Sequence, residues 1–215
     1  MSSLLVLVRH GESEVNRINR ERRFFCGRLD TPLTELGREQ AVQAGTRLAS
    51  VAAVQIRHAV SSTLSRARDT LELMKSSLPA DCRFLTPTPE LNERSLGDFE
   101  GRWEEDVFTA FPAYRDDPQY NRFFNDFVQK APGGESLQEV TDRMSRVILQ
   151  HWDNINGDWL AVTHGCAIRC LLGRLLNWSD ERVIDTHIPN AIPILVRRID
   201  SQHFEMVDMP EFGDD

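Results

Sequence analysis

Two short apolar runs in this chain end in the same way. "LLVLVRHG" spans residues 4–11 and "DWLAVTHG" spans residues 158–165. Leu4 to Val8 has no polar residue on either side of the strand alternation. Such a run must be covered on both faces, which happens in a parallel sheet held between helix layers. Further strands are predicted at 54–61, 194–199 and 204–207. Helices are predicted from Leu36 to Leu48, over 65–77, and from His164 to about Leu176. In "PGGESLQEV", Ser136 with Glu139 three residues on makes a capping box, and a helix follows with Leu137, Val140, Met144, Val147 and Ile148 on one face. Strands alternating with helices predict an α/β fold, a three-layer α/β/α sandwich with a mostly parallel central sheet. The 215 residues suit one domain.

The strand ends carry the chemistry. Ligands of parallel α/β sheets bind beyond the carboxyl ends of the strands. His10 and His164 each leave a strand just before a glycine, so both are expected on one rim. Gly11 and Gly165 are expected to let backbone amides approach an anion. In "AVSSTLSRARDT", Arg66 falls in the first turn of a helix, where the dipole favours anions. A bound anion would resolve that conflict. "ELNERSLGDFEG" brings Glu90, Glu93, Asp98 and Glu100 into one turn-rich loop. A carboxyl group there could move protons, although the spacing alone equally suits a solvated acidic loop.

Composition narrows the partners. Net charge is −8, which argues against general binding of nucleic acid or of anionic membranes. Lys75 and Lys130 are the only lysines among 25 basic residues. The other cations are arginines, whose planar fork suits phosphate and carboxylate. The four cysteines, Cys26, Cys82, Cys166 and Cys170, form no Cys-x-x-Cys pair and no zinc spacing, so reduced thiols are expected. The amino-terminal apolar run is too short for a signal peptide or a membrane span. Those two readings predict a cytoplasmic protein. Residues 102–132 are dense in aromatics and broken by Pro112 and Pro118. They read as a helical hairpin packed on the main core, which could also cover a ligand.

"LVRHGESEVN" resembles the signature of the histidine phosphatase superfamily, the phosphoglycerate mutase-like family. "GRLDTPLTELGREQA", "SSTLSRARDT", "LNERSLGDFEG", "PGGES" and "VTHGCAIR" resemble further blocks of that family in the same order. The resemblance implies a phosphoglycerate mutase-like sandwich and no cofactor or metal. It implies that His10 is the nucleophile and becomes a phosphohistidine. By the same resemblance Arg9, Arg66 and His164 surround the phosphoryl group, with His164 adding a cation when protonated. Glu93 is the proton donor. Asn16 and the Gly165 amide line the phosphate pocket. Cys26 and Gly27 match the place where mutases hold the non-transferred end of phosphoglycerate.

The chemistry is coherent with those roles. Phosphoryl transfer rests mainly on positioning and charge stabilisation. His10 must attack as neutral imidazole, and flanking guanidinium groups favour that form. Rival chemistries lack their parts. No cysteine has arginine six residues on, there is no Asp-x-Asp pair, and no lysine sits in a P-loop. No zinc spacing involves the histidines. His58, His151, His187 and His203 read as structural. The segment "RINRERRF" is about one helical turn (~4 residues) longer than the family spacing. Its Arg17, Arg20, Arg22 and Arg23 either reach a second anionic group or form a solvated loop with Glu21 as counter-charge.

Two activities follow. "PGGES" and "PNA" at 189–191 resemble the phosphatase branch, and 102–132 lacks the basic pair and proline-rich insertion of mutases. The first reading is a phosphomonoester hydrolase for a small phosphorylated metabolite, such as a sugar phosphate. The second is a phosphoglycerate mutase-type phosphotransferase. A non-catalytic phosphate-binding module is a third, disfavoured because His10 and Glu93 are both present. The sequence is silent on oligomeric state and admits a homodimer.

Overall fold

In the computed structural model, which describes residues 3–51, 54–154 and 157–207, β1 (Leu4–Arg9) lies inside a six-stranded sheet. It is followed by α1 (Glu14–Ile18), β2 (Phe24–Phe25), α2 (Glu35–Ser50), β3 (Ile56–Ser61), α3 (Ser65–Met74) and β4 (Arg83–Phe84). Next come β5 (Arg102–Trp103), α4 (Glu104–Ala110), α5 (Ala113–Asp116), α6 (Leu137–Asn154) and β6 (Asp158–Thr163). The chain continues through α7 (Gly165–Leu176), α8 (Asp180–Asp185), β7 (Pro193–Arg198) and β8 (Phe204–Val207). The sheet order is β4-β3-β6-β1-β7-β8. The β4–β3, β3–β6 and β6–β1 pairs are parallel, and β7 runs antiparallel to both β1 and β8. The sheet is therefore mostly parallel, as its apolar strands predict.

Alternation along β1 builds the layers. Leu5 and Leu7 pack with Met144 and Ile148 of α6 and Ile168 and Leu171 of α7. Val6 and Val8 turn to the other face, against Ala44 and Leu48 of α2 and Ala67 and Leu71 of α3. All four β1 residues are fully buried, which is why neither side of this strand carries a polar residue. The predicted capping box forms at α6: the Glu139 amide donates to Ser136 Oγ at 3.2 Å, and the Ser136 amide to Glu139 at 2.8 Å. None of the described helices is long and apolar enough to cross a membrane. None of the four cysteines forms a disulfide.

Residues 102–132 do not form the expected helical hairpin. They hold α4, the single turn α5 and then turns. Asp117 accepts from the Gln119 amide, and Asp126 from the Val128 and Gln129 amides, so these side chains take amides that a second helix would need. Phe99, Val107 and Phe123 pack with Phe25, Leu96 and Ala131 as a separate aromatic core. The small β2–β5 ladder joins this core to the segment after α1.

Candidate active site

Three strand exits meet side by side, because β6 lies between β3 and β1. Arg9 pairs with Thr163 across the β1–β6 ladder, and the His10 amide donates to the Thr163 carbonyl at 3.0 Å. His10 and His164 thus leave adjacent strands at the same level. Their rings meet edge to face with centroids 5.1 Å apart. On the other side of β6, the Ser62 amide donates to the Val162 carbonyl at 3.0 Å.

His10 is keyed by its neighbours. Its Nδ1 lies 2.7 Å from its own loop's Gly11 carbonyl, which makes Nδ1 the N–H and leaves the lone pair on Nε2. Arg66 Nε donates to that Nε2 at 3.2 Å. The Asn190 side chain donates to the His10 carbonyl at 2.8 Å, and the Ala191 amide to the Arg9 carbonyl at 2.8 Å. Burial, reinforced by Arg66 and Arg9, holds the His10 imidazole well below its ordinary pKa of 6.5. It is therefore neutral at neutral pH, as a nucleophile must be.

The arginines face inward. Arg66 is buried, and its other two nitrogens donate to the Leu29 and Gly27 carbonyls at 2.9 and 3.0 Å. The anion expected at the start of α3 is in part Asp30, which accepts from the Ser65 amide and hydroxyl at 2.7 Å each. Arg9 donates to the Ile188 carbonyl at 2.7 Å, while its Nε is buried without a protein partner.

His164 differs from expectation. It is fully buried, and that burial, with Arg66, His10 and Arg9 facing it, holds its pKa well below 6.5. It is a neutral donor, not an added cation. Its Nε2 lies 2.7 Å from Ser62 Oγ. The same hydroxyl oxygen also accepts from the Leu64 amide at 3.3 Å, and its proton is assigned to Nε2. That assignment puts the His164 hydrogen on Nδ1, which is buried without a partner.

Glu93 sits at the head of α7. Its carboxylate accepts from the Arg94 amide at 2.8 Å, the Ala167 amide at 3.2 Å and the Cys166 amide at 3.3 Å. Arg28 Nε holds its backbone carbonyl at 3.0 Å. Glu135 lies between Arg28 (2.9 Å) and Arg143 (3.0 Å) and braces this loop. Of the other loop acids, Glu100 accepts from the Arg28 and Leu96 amides and has a structural place. Asn16 Oδ1 accepts from the Ser13 amide at 3.1 Å, so its NH2 group is the part left to donate elsewhere.

These groups line one open pocket of about 550 Å³. Arg9, His10, Asn16, Cys26, Gly27, Arg66, Glu93 and Gly165 all reach its wall, with His164 packed behind His10. His187 also lines it, contrary to the structural reading from sequence, because the stretch after α8 returns along the sheet's rim. Burial pushes the Cys26 thiol up, away from nucleophile behaviour. Among the described residues, no three His, Cys, Asp or Glu side chains gather as a metal site.

Two sequence readings need correction. Gly11 is not open to an anion: its amide donates to Thr70 Oγ1 at 3.0 Å, and a Cβ there would lie 2.1 Å from the Gly37 carbonyl oxygen. Gly37 in turn lies against the Glu12 backbone, 2.0 Å from a Cβ position. At Gly165 a Cβ would meet nothing nearer than 3.4 Å. The arginines of α1 and the segment after it find partners other than Glu21. Arg17 pairs with Glu14, Arg20 with Glu12, Arg22 with Glu105 and Arg23 with Glu104, and only Arg23 of these four reaches the pocket. Ser62, Asn190 and Arg94 were missed. Ser62, directly after β3, could have been flagged as a small polar residue at a strand exit; Arg94 and Asn190 carry no such signal.

A three-layer sandwich with two histidines and two arginines at adjacent strand exits defines a phosphoryl-transfer class of site. The chain belongs to the histidine phosphatase superfamily, branch 1, whose family model matches residues 5–210. It is 32% identical over 218 residues to a 2,3-bisphosphoglycerate-dependent phosphoglycerate mutase 2 of Lactobacillus johnsonii, covering 89% of this chain and 90% of that protein. It is also similar to the alpha-ribazole phosphatase structure from Shigella flexneri (26% identity, TM-score 0.76, 99% of each chain). A mycobacterial glucosyl-3-phosphoglycerate phosphatase in complex with VO3 matches at 25% identity and TM-score 0.76, over 95% of this chain and 97% of that one. Both phosphatases and mutases are thus among the relatives, and the family makes this chain an enzyme of that kind.

Proposed function

We propose that the protein is a phosphomonoester hydrolase that works through a phosphohistidine on His10, with a small phosphorylated metabolite as substrate. The observation that carries this reading is the neutral His10 ring, keyed by the Gly11 carbonyl so that Nε2 is its nucleophilic nitrogen, with Arg9 and Arg66 beside it. Nε2 attacks phosphorus and the ester P–O bond breaks. Glu93 gives a proton to the departing alkoxide oxygen. In the second step Glu93 takes a proton from water, whose oxygen attacks phosphorus and breaks the P–N bond. The Arg9 Nε, buried without a partner on the pocket wall, supplies a donor for the charge on the equatorial oxygens, and His164 backs the His10 ring. Asn16 and the Gly165 amide complete the phosphate pocket. The reading treats 1–215 as one domain with 102–132 as its cap.

A mutase remains the second reading, because Cys26 and Gly27 line the same pocket. It differs only in the acceptor, a substrate hydroxyl in place of water. Favouring hydrolysis, the cap contributes Phe124 to the pocket wall and no basic pair. A panel of phosphate esters assayed with EDTA, scoring phosphate release against interconversion of 3- and 2-phosphoglycerate, separates the two. Release with chelator present and acid-labile phosphate on His10 is the expected result. Bisphosphate-primed isomerisation would overturn it.

A further inference from the structure

The reaction at His10 uses a small part of the pocket. A phosphate has five heavy atoms, or ~150 Å³ at roughly 30 Å³ per water-sized atom. The pocket measures about 550 Å³. If Glu93 protonates the leaving oxygen, the carbon skeleton of the ester extends past Glu93. What it meets there is set by the next residue.

Arg94 is 3% exposed and spends its guanidinium on four backbone carbonyls. It donates to Glu135 at 2.6 Å, Phe124 at 3.1 Å, Phe123 at 2.7 Å and Gln129 at 3.2 Å. This clamp anchors the backbone that carries Phe124 to the residue beside Glu93. The Arg23 guanidinium lies 4.3 Å from the Phe124 ring centre, and Arg23 is already paired with Glu104. Phe24 and Leu96 continue the same wall. A phenyl ring and a guanidinium plane are both platforms for a flat group. At this wall Arg94 is spent and Arg23 is paired, while Arg169, elsewhere on the pocket lining, donates to the Ile184 carbonyl at 2.6 Å and keeps its Nε without a partner.

We propose that the wall formed by Phe124, Arg23 and Phe24 is the leaving-group site, and that it selects phosphate monoesters of ring-bearing alcohols over those of small acyclic ones. Phe124 is then the specificity-determining residue. This inference rests on the hydrolase reading, since it uses Glu93 to place the ester oxygen.

The test compares benzyl phosphate, glycerol 2-phosphate and 3-phosphoglycerate, none of which has an activated leaving group. The expected wild-type kcat/KM is about tenfold higher for benzyl phosphate, given what aromatic contacts contribute. Phe124→Ala should lose at least about fivefold more on benzyl phosphate than on glycerol 2-phosphate, mainly through KM, and Phe124→Leu should recover part of it. Unchanged thermal melting and vanadate affinity exclude simple misfolding. Equal rates on the three esters, a preference for 3-phosphoglycerate, or a uniform loss in Phe124→Ala would overturn the proposal. If no ester is hydrolysed, the hydrolase reading fails. Calorimetric binding of benzyl phosphate against glycerol 2-phosphate then decides the wall by itself, with equal affinities counting against it.

Discussion

Arg66 Nε donates to His10 Nε2 at 3.2 Å, the nitrogen that would become phosphorylated. The lone pair is therefore held until an oxyanion competes for the guanidinium. Arg66→Ala should slow phosphohistidine formation by about 10²–10³-fold, the usual cost of removing a donor to developing charge. It should also raise the pKa of His10, because a flanking cation is lost. Rapid quench measures the first effect and histidine NMR the second. Normal phosphorylation with an unmoved His10 titration would contradict this role.

Ser62 selects the His164 tautomer through the 2.7 Å contact with Nε2. Nitrogen-15 shifts of the ring should therefore report protonated Nδ1 in the wild type. Ser62→Ala should mix the tautomers and lower kcat/KM by about ten- to hundredfold, as removal of a group that orients a functional histidine does. A wild-type ring protonated on Nε2 would refute the assignment.

His10 and His164 also shape the pH dependence of stability. Both are held well below 6.5 in the fold, and both return to ordinary values when the chain unfolds. Below about pH 6.5 the unfolded state binds more protons, so stability falls as the pH drops toward the depressed folded values. Each histidine contributes about 1.4 kcal/mol per pH unit in that window, and nothing well above it. Urea midpoints at pH 7.5 and 5.5 measure the slope. The double variant His10→Gln, His164→Gln should show a flatter one, and an identical slope would rule these residues out as its source.

The two signature-type glycines should behave differently. Gly37→Ala places a methyl 2.0 Å from the Glu12 carbonyl oxygen, where only backbone can yield. A cost of about 3 kcal/mol, lowering Tm by roughly 6–12 °C, is expected. Gly165→Ala meets nothing nearer than 3.4 Å and should melt within about 2 °C of wild type. Calorimetry compares them, and equal losses would refute the distinction.

Much of this site is written in local pattern. The apolar run from Leu4 to Val8 announces its burial, and the repeated strand-His-Gly exits place His10 and His164 on one rim. Ser136 and Glu139 mark the start of α6 unaided. The rest depends on partners far along the chain. Arg94 resembles any loop arginine until Phe123, Phe124, Gln129 and Glu135 surround it. Gly11 owes its identity to Gly37, not to a ligand, and no local reading separates those causes. The hairpin expected of 102–132 does not form because Asp117 and Asp126 take amides that a second helix would need. β4 is too short and exposed for any period to declare it.

Arg94 grips three carbonyls of the 102–132 segment, at Phe123, Phe124 and Gln129, and a fourth at Glu135, and so ties that segment to the loop that carries Glu93. On the proposed roles of Phe124 and Glu93, new substrates are reached by exchanging rings on that frame, and a change that loosens it is felt at Glu93 as well. On that reading, choice of substrate and delivery of the proton share one support.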